Sequence, residues 1–123
     1  MKWNYFTDEE VAGLETEVVA KLDAARHKAG IAFRITSTRR TPEQNLAAGG
    51  VQDSAHLKGL AADLHVEDSM ALFKMISALL EVGFPRLVIG IKIDDHGKVV
   101  YHNLHCDLDT SLPYPVLAVK RYG

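Results

Sequence analysis

The sequence holds a single cysteine, Cys106, so no disulfide can form within the chain and no all-thiolate metal site can be built. No apolar run approaches the ~18 residues of a membrane span, which predicts no membrane insertion. Neither sign of charge dominates. Lys and Arg number 14 against 16 Asp and Glu, a formal charge of −2, and no basic stripe marks a nucleic-acid partner. Repeats and low-complexity stretches are absent. The segment Met1–Asp8 lacks an apolar stretch of signal-peptide length, so synthesis in the cytoplasm is expected. What is present is ordinary for a globular chain, with 47% hydrophobic and 24% charged residues. A chain of 123 residues makes one domain, 1–123, and can bury roughly two-thirds of its unfolded surface.

Patterning predicts an α+β domain. Thr7-Asp8-Glu9-Glu10 reads as a capping box, followed by Val11, Leu14, Val18, Leu22 and Ala25 at helical spacing and a stop at Gly30. Ile31, Phe33 and Ile35 alternate as in a half-buried strand. Thr41-Pro42-Glu43-Gln44 is a second capping box that opens a short helix, closed at Gly49-Gly50. Ala62, Leu64 and Val66 form a second alternating strand. Leu72, Phe73, Ile76, Leu79 and Leu80 make a helical stripe ending at Gly83, read as core. Leu87–Ile93 and Val99–Leu108 flank the turn Asp94-Asp95-His96-Gly97 as a hairpin, and a short strand is expected at Val116–Val119. Helices should pack on a small, mostly antiparallel sheet.

Chemistry concentrates in Ser54-Ala55-His56-Leu57-Lys58-Gly59-Leu60-Ala61-Ala62-Asp63 and, far downstream, in His102-Asn103-Leu104-His105-Cys106-Asp107. Two imidazoles and one carboxylate suit a catalytic zinc, because a fourth position stays open for water. Neutral His, neutral His and Asp⁻ leave such a site at +1, enough to acidify bound water. The spacing alone leaves a plainer reading open, with His56 a polar loop residue and Asp63 a solvated strand end.

The full pattern is narrower. Ser54, His56, Gly59, Ala61 and Asp63 fill every fixed position of Ser-x-His-x-x-Gly-x-Ala-x-Asp. The segment from Ile35 to Asn45 is similar to Ile-Thr-Ser-Gly-Tyr-Arg-Ser/Thr-Pro-Glu-x-Asn, and His105-Cys106-Asp107 to a terminal His-x-Asp. In these blocks the chain resembles the zinc D-Ala-D-Ala carboxypeptidase family, most of all its short single-domain members. The resemblance implies the Hedgehog/D-Ala-D-Ala-peptidase type of fold. It implies one Zn²⁺ per chain on His56, Asp63 and His105, and Arg40 facing substrate. Thr38-Arg39 replaces the family's Gly-Tyr, and Asn103-Leu104 replaces an aromatic. His102 stands where several branches carry Glu or Asp as general base.

The base is therefore open between His102 and Asp107, with Asp109 as a further candidate. On an unbroken strand, residues i and i+3 face opposite ways, so His102 can serve only if a bulge intervenes. Asp107 shares the His105 face and could be the base or could orient His105. Arg40 offers a planar fork for a carboxylate or carbonyl oxygen, or else an ordinary salt bridge. Ser54 matches the pattern and is expected to set the His56 loop by a local hydrogen bond, and it counts with Arg40 among the expected substrate-binding residues. His65 should share the Asp63 face, at the rim of the site. His27 and His96 should be solvated and Cys106 buried.

The expected function is hydrolysis of D-amino-acid-containing peptidoglycan peptides, as carboxypeptidase or endopeptidase. The substrate would be reached through a lysis or delivery route, as in a phage or prophage. A non-catalytic zinc-containing structural or binding module, such as a phage tail component, is the competing expectation, and a zinc amidase a third.

Overall fold

The computed structural model describes residues 2–49 and 54–123. Three helices, α1 (Thr16–Ala29), α2 (Pro42–Ala47) and α3 (Ser69–Glu81), accompany five strands. The strands are β1 (Ile35–Ser37), β2 (Ala61–Leu64), β3 (Arg86–Ile93), β4 (Val99–Asp107) and β5 (Val116–Arg121). They form one sheet in the order β1-β2-β4-β3-β5. All neighbours are antiparallel except β3 and β5. The parallel pair has a geometric cause. Asp107 at the end of β4 lies opposite Arg86 at the start of β3, and Val116 at the start of β5 also lies opposite Arg86. The short segment 108–115 thus only steps over β3, and β5 must run the same way as β3.

α1 and α3 pack on each other and cover one face of the sheet. Val18, Leu22 and Ala25 of α1 join Leu72, Met75 and Leu79 of α3 and Ala62, Leu64, Leu87 and Leu104 of the strands in one buried cluster. Full burial of such Leu and Met side chains contributes about 1.5–3 kcal/mol each. The opposite sheet face carries the polar residues discussed below.

Several sequence expectations are corrected. The Thr7–Glu10 capping box forms, with both reciprocal bonds present, but it closes only a set of turns. Gly13, at φ +85°, ends them, and α1 starts afresh at Thr16 behind an extended Glu15 that lends no side-chain cap. Val11 is nonetheless buried, so the apolar spacing marked burial and not one continuous helix. Ile31 and Phe33 pack on the core outside any ladder, and β1 is confined to three residues. Phe73 and Leu80 are exposed, at 74% and 52%. The buried stripe of α3 is Leu72, Met75, Ala78 and Leu79, and each exposed residue lies one step round the helix from it. The second capping box forms as read, with Thr41 and Gln44 bonded reciprocally and Pro42 leading α2. The expected stop at Gly49-Gly50 lies partly outside the described residues, since Gly50 is beyond them.

Candidate metal centre

His56 sits on a single 3-10 turn, Ala55–Lys58, between β1 and β2. Ser54 Oγ accepts the His56 backbone N–H at 3.3 Å, and Gly59 closes the turn at φ +74°. A Cβ on Gly59 would lie 2.5 Å from the Gly13 carbonyl oxygen, so glycine is required there on both counts. Arg40 N–H donates to the His56 carbonyl at 3.0 Å and ties the turn to the segment after β1. The expectation that Ser54 sets this loop matches the geometry.

Register brings the other two residues in. Asp63 on β2 lies directly opposite His105 on β4. Both imidazoles point one nitrogen at Asp63 Oδ1: His56 Nε2 at 3.1 Å and His105 Nδ1 at 3.0 Å. The remaining nitrogens are anchored. His56 Nδ1 donates to the Thr38 carbonyl at 2.7 Å, and His105 Nε2 donates to Asp107 Oδ2 at 2.7 Å. A carbonyl can only accept, so His56 Nδ1 carries a proton, and Nε2 is the nitrogen turned toward Asp63.

This set fits a metal ion. The three ligand atoms lie within 4.8 Å of one another, and among the described residues no other His, Cys, Asp and Glu group does so. Tetrahedral N/O ligands about 2.0–2.1 Å from zinc stand about 3.3 Å apart, near the two separations found here. His56 and Asp63 are almost wholly buried, while His105 keeps partial access. A cleft of about 160 Å³ opens over them, bordered by Arg40, Arg86, Lys120 and Tyr122.

Electrostatics agree with a cation's place. Burial works against the Asp63 carboxylate, yet hydrogen bonds from His105 and His56 hold its pKa far below the usual range. Burial likewise works against the His105 imidazolium, yet hydrogen bonds to Asp107 and Asp63 push its pKa up to about 9. Without a metal, a proton thus occupies the position a cation would take.

Each ligand is supported from behind. Asp107, fully buried, accepts from His105, from Arg86 Nε and from the Asp109 N–H. Arg40 places NH2 on Asp63 Oδ2 at 2.8 Å, Nε on Ser37 Oγ and NH1 on Asn45 Oδ1. Three of its five N–H donors are thereby used, and the guanidinium still borders the cleft. Asp109, the further base candidate, is buried and held by Lys58 Nζ at 2.7 Å and by Ser111. Lys58 so links the His56 turn to the end of β4.

His102 meets the condition set for it. Gly90 pairs with Asn103 but Ile91 pairs with Tyr101, so His102 is the extra residue of a bulge in β4. The bulge turns Tyr101 toward the helices, where its hydroxyl meets Ser69 Oγ at 2.8 Å. It leaves His102 on the Asp63 side of the sheet, bordering a cleft of about 540 Å³ and stacked on Tyr122 with ring centroids 4.2 Å apart.

His65 is not brought to the site. β2 ends at Leu64, alternation lapses, and His65 pairs with Glu67 at 3.1 Å beside a separate cleft. His27 is exposed but bonded to the Tyr5 hydroxyl at 2.6 Å, and His96 is exposed in its turn. Cys106 is buried, and burial pushes its thiol pKa up. Sequence reading missed Arg86 and the Thr38 carbonyl. Nothing in the chain marks Arg86, because its pairing with Asp107 arises from strand register alone.

A family model described as Peptidase M15 matches residues 4–94. The chain belongs to this family. The resemblance to D-Ala-D-Ala carboxypeptidases and the α+β fold it implied are thereby shown. The matched span of this M15 chain includes His56 and Asp63 and stops before His105, which the sheet itself delivers. Membership makes the chain one of a metallopeptidase family, with a peptide as the class of substrate. No curated protein matches the chain.

Proposed function

We propose that the chain is a zinc peptidase cutting peptidoglycan peptides that contain D-amino acids, with one Zn²⁺ on His56, Asp63 and His105. The observation that carries this reading is the convergence of His56 Nε2 and His105 Nδ1 on Asp63 Oδ1, each imidazole locked from behind. Bound there, zinc would supply Lewis acidity toward a peptide carbonyl and acidify a water in its open position.

The chain's own residues do the rest. His102 takes the proton of the attacking water and returns it to the leaving amine. Burial and the nearby Lys92 ammonium lower its pKa, so it is neutral and ready to accept near pH 7. Arg40 directs its remaining N–H groups at the substrate's oxygen, and Ser54 holds the turn that presents His56. Asp107 fixes the His105 tautomer and keeps Nδ1 aimed inward. Asp107 borders the cleft, but its full burial and three donors suit it to holding His105, and the base role is given to His102.

The test is elemental analysis of the purified chain together with mass spectrometry of muropeptides after digestion. One zinc per chain, lost in His56→Ala, and shortened stem peptides are expected. Bound zinc with no cleavage of any muropeptide would replace this reading with the non-catalytic module. Release of intact peptide from sugar would replace it with the amidase.

A further inference from the structure

The cleft of about 540 Å³ beside the ligand triad contains two groups that the proposed mechanism places on no substrate atom. The first is Asn103. Its side chain is buried, with the residue 7% exposed, and Oδ1 has no hydrogen-bond partner. A buried amide oxygen left unpaired is costly, so the fold holds this carboxamide at a loss. The arrangement is built. The bulge at His102 sets Asn103 on the cleft face, and Gly90 across the ladder makes room for it. A Cβ at Gly90 would lie 2.1 Å from Asn103 Oδ1 and 2.9 Å from Tyr122 Cε1. The second group is Lys92, an exposed ammonium with no carboxylate partner among the described residues. The other charges of this cleft, Arg40 and Asp63, satisfy each other at 2.8 Å.

The cleft shares Arg40, Asp63 and Tyr122 with the opening over the triad, so the two adjoin at Asp63. A peptide that runs from the triad into this cleft meets the wall formed by His102 and Asn103. We infer that this cleft is a specificity subsite: the Asn103 carboxamide pairs with a backbone amide of the peptide, and Lys92 selects a residue bearing a side-chain carboxylate. A carboxamide offers both a donor and an acceptor, the complement of a peptide group. Lys92 supplies the unmatched positive charge. The inference rests on the peptidase reading for its substrate and deepens it by naming a charge requirement.

The test uses two probes, acetyl-Glu-D-Ala-D-Ala and acetyl-Gln-D-Ala-D-Ala. Their binding to the metal-free protein is measured by calorimetry and their cleavage by the zinc-loaded protein by mass spectrometry. The wild type is expected to bind the Glu peptide about 2- to 5-fold more tightly, the scale of an exposed ion pair. Lys92→Ala should erase that preference, with the Gln peptide bound as before. Asn103→Leu, which keeps the volume and removes the orphan, should weaken binding of both peptides about 5- to 100-fold. Its thermal stability should hold or rise, an outcome that a merely structural Asn103 would reverse. Equal binding of the two peptides by the wild type, no binding of either, or unchanged binding by both variants overturns the subsite. Discriminating binding without cleavage overturns the peptidase reading and leaves the subsite standing. Cleavage without discrimination does the opposite.

Discussion

Metal binding at this site must displace a proton, and the size of that competition follows from the geometry. In the metal-free protein, His105 is held between Asp63 and Asp107, which push its pKa up to about 9. The metal would occupy the place of the Nδ1 proton. At pH 7 the imidazole is about two units below its pKa, so the proton lowers apparent metal affinity about 100-fold from its high-pH limit. Affinity should therefore rise about tenfold per pH unit from 7 to 9, with about one proton released per metal. Chelator competition across this range measures the slope. Calorimetry in buffers of different ionisation enthalpy counts the proton. Asp107→Asn should flatten the slope, because His105 then loses one of its two anionic partners and titrates nearer the ordinary value of about 6.5. The same change weakens intrinsic affinity by about 10–100-fold, the usual effect of removing a ligand's supporting carboxylate. The two effects oppose each other at pH 7, so the variant's deficit should emerge fully only toward pH 9. Urea unfolding at each pH keeps the loss of Arg86's partner separate from the loss of metal. A wild-type affinity independent of pH, or a variant with an undiminished slope, would refute the reasoning.

His102→Ala should retain metal and lose about 10²–10⁴-fold in peptide hydrolysis, checked by turnover at saturating zinc. Arg40→Lys cannot reach Asp63, Ser37 and Asn45 together. It should slow turnover by about 1–3 kcal/mol and also lower metal affinity about tenfold, read by kinetics and chelator competition. Gly90→Ala sets a methyl against Asn103 and Tyr122 and should cost about 1–3 kcal/mol in urea unfolding. Without metal, the raised His105 pKa contributes stability that is complete below pH ~6.5 and is lost as pH rises through about 9. The lowered Asp63 pKa contributes stability that is complete above pH ~3.9 and is lost as pH falls further. Denaturation in chelator should therefore show a plateau between those limits.

The chain's local chemistry was legible without coordinates wherever one short segment sufficed. The Thr41–Gln44 box, the Asp94–Gly97 turn and the Ser54–Gly59 turn presenting His56 each depend on residues a few positions apart. The spacing from His56 to Asp63 was readable because a turn and a strand start connect them directly. The third ligand needed two distant strands to be in register, and the family match ends before it. Arg86 behind Asp107 was decided by the pairing of β3 with β4, and Arg40 on Asp63 by the pairing of β1 with β2, each with burial that pairs charges a linear pattern leaves unassigned. Thr7–Glu10 misled because a capping box starts a turn wherever its two bonds can close, while only Gly13 and the packing of α1 determined whether a helix continued. His102 is the clearest division. Its identity as a base candidate came from position, but its face depended on one extra residue in β4. Such a bulge is stable here because Gly90 leaves the space that Asn103 fills, and that fit exists only once the strands are paired.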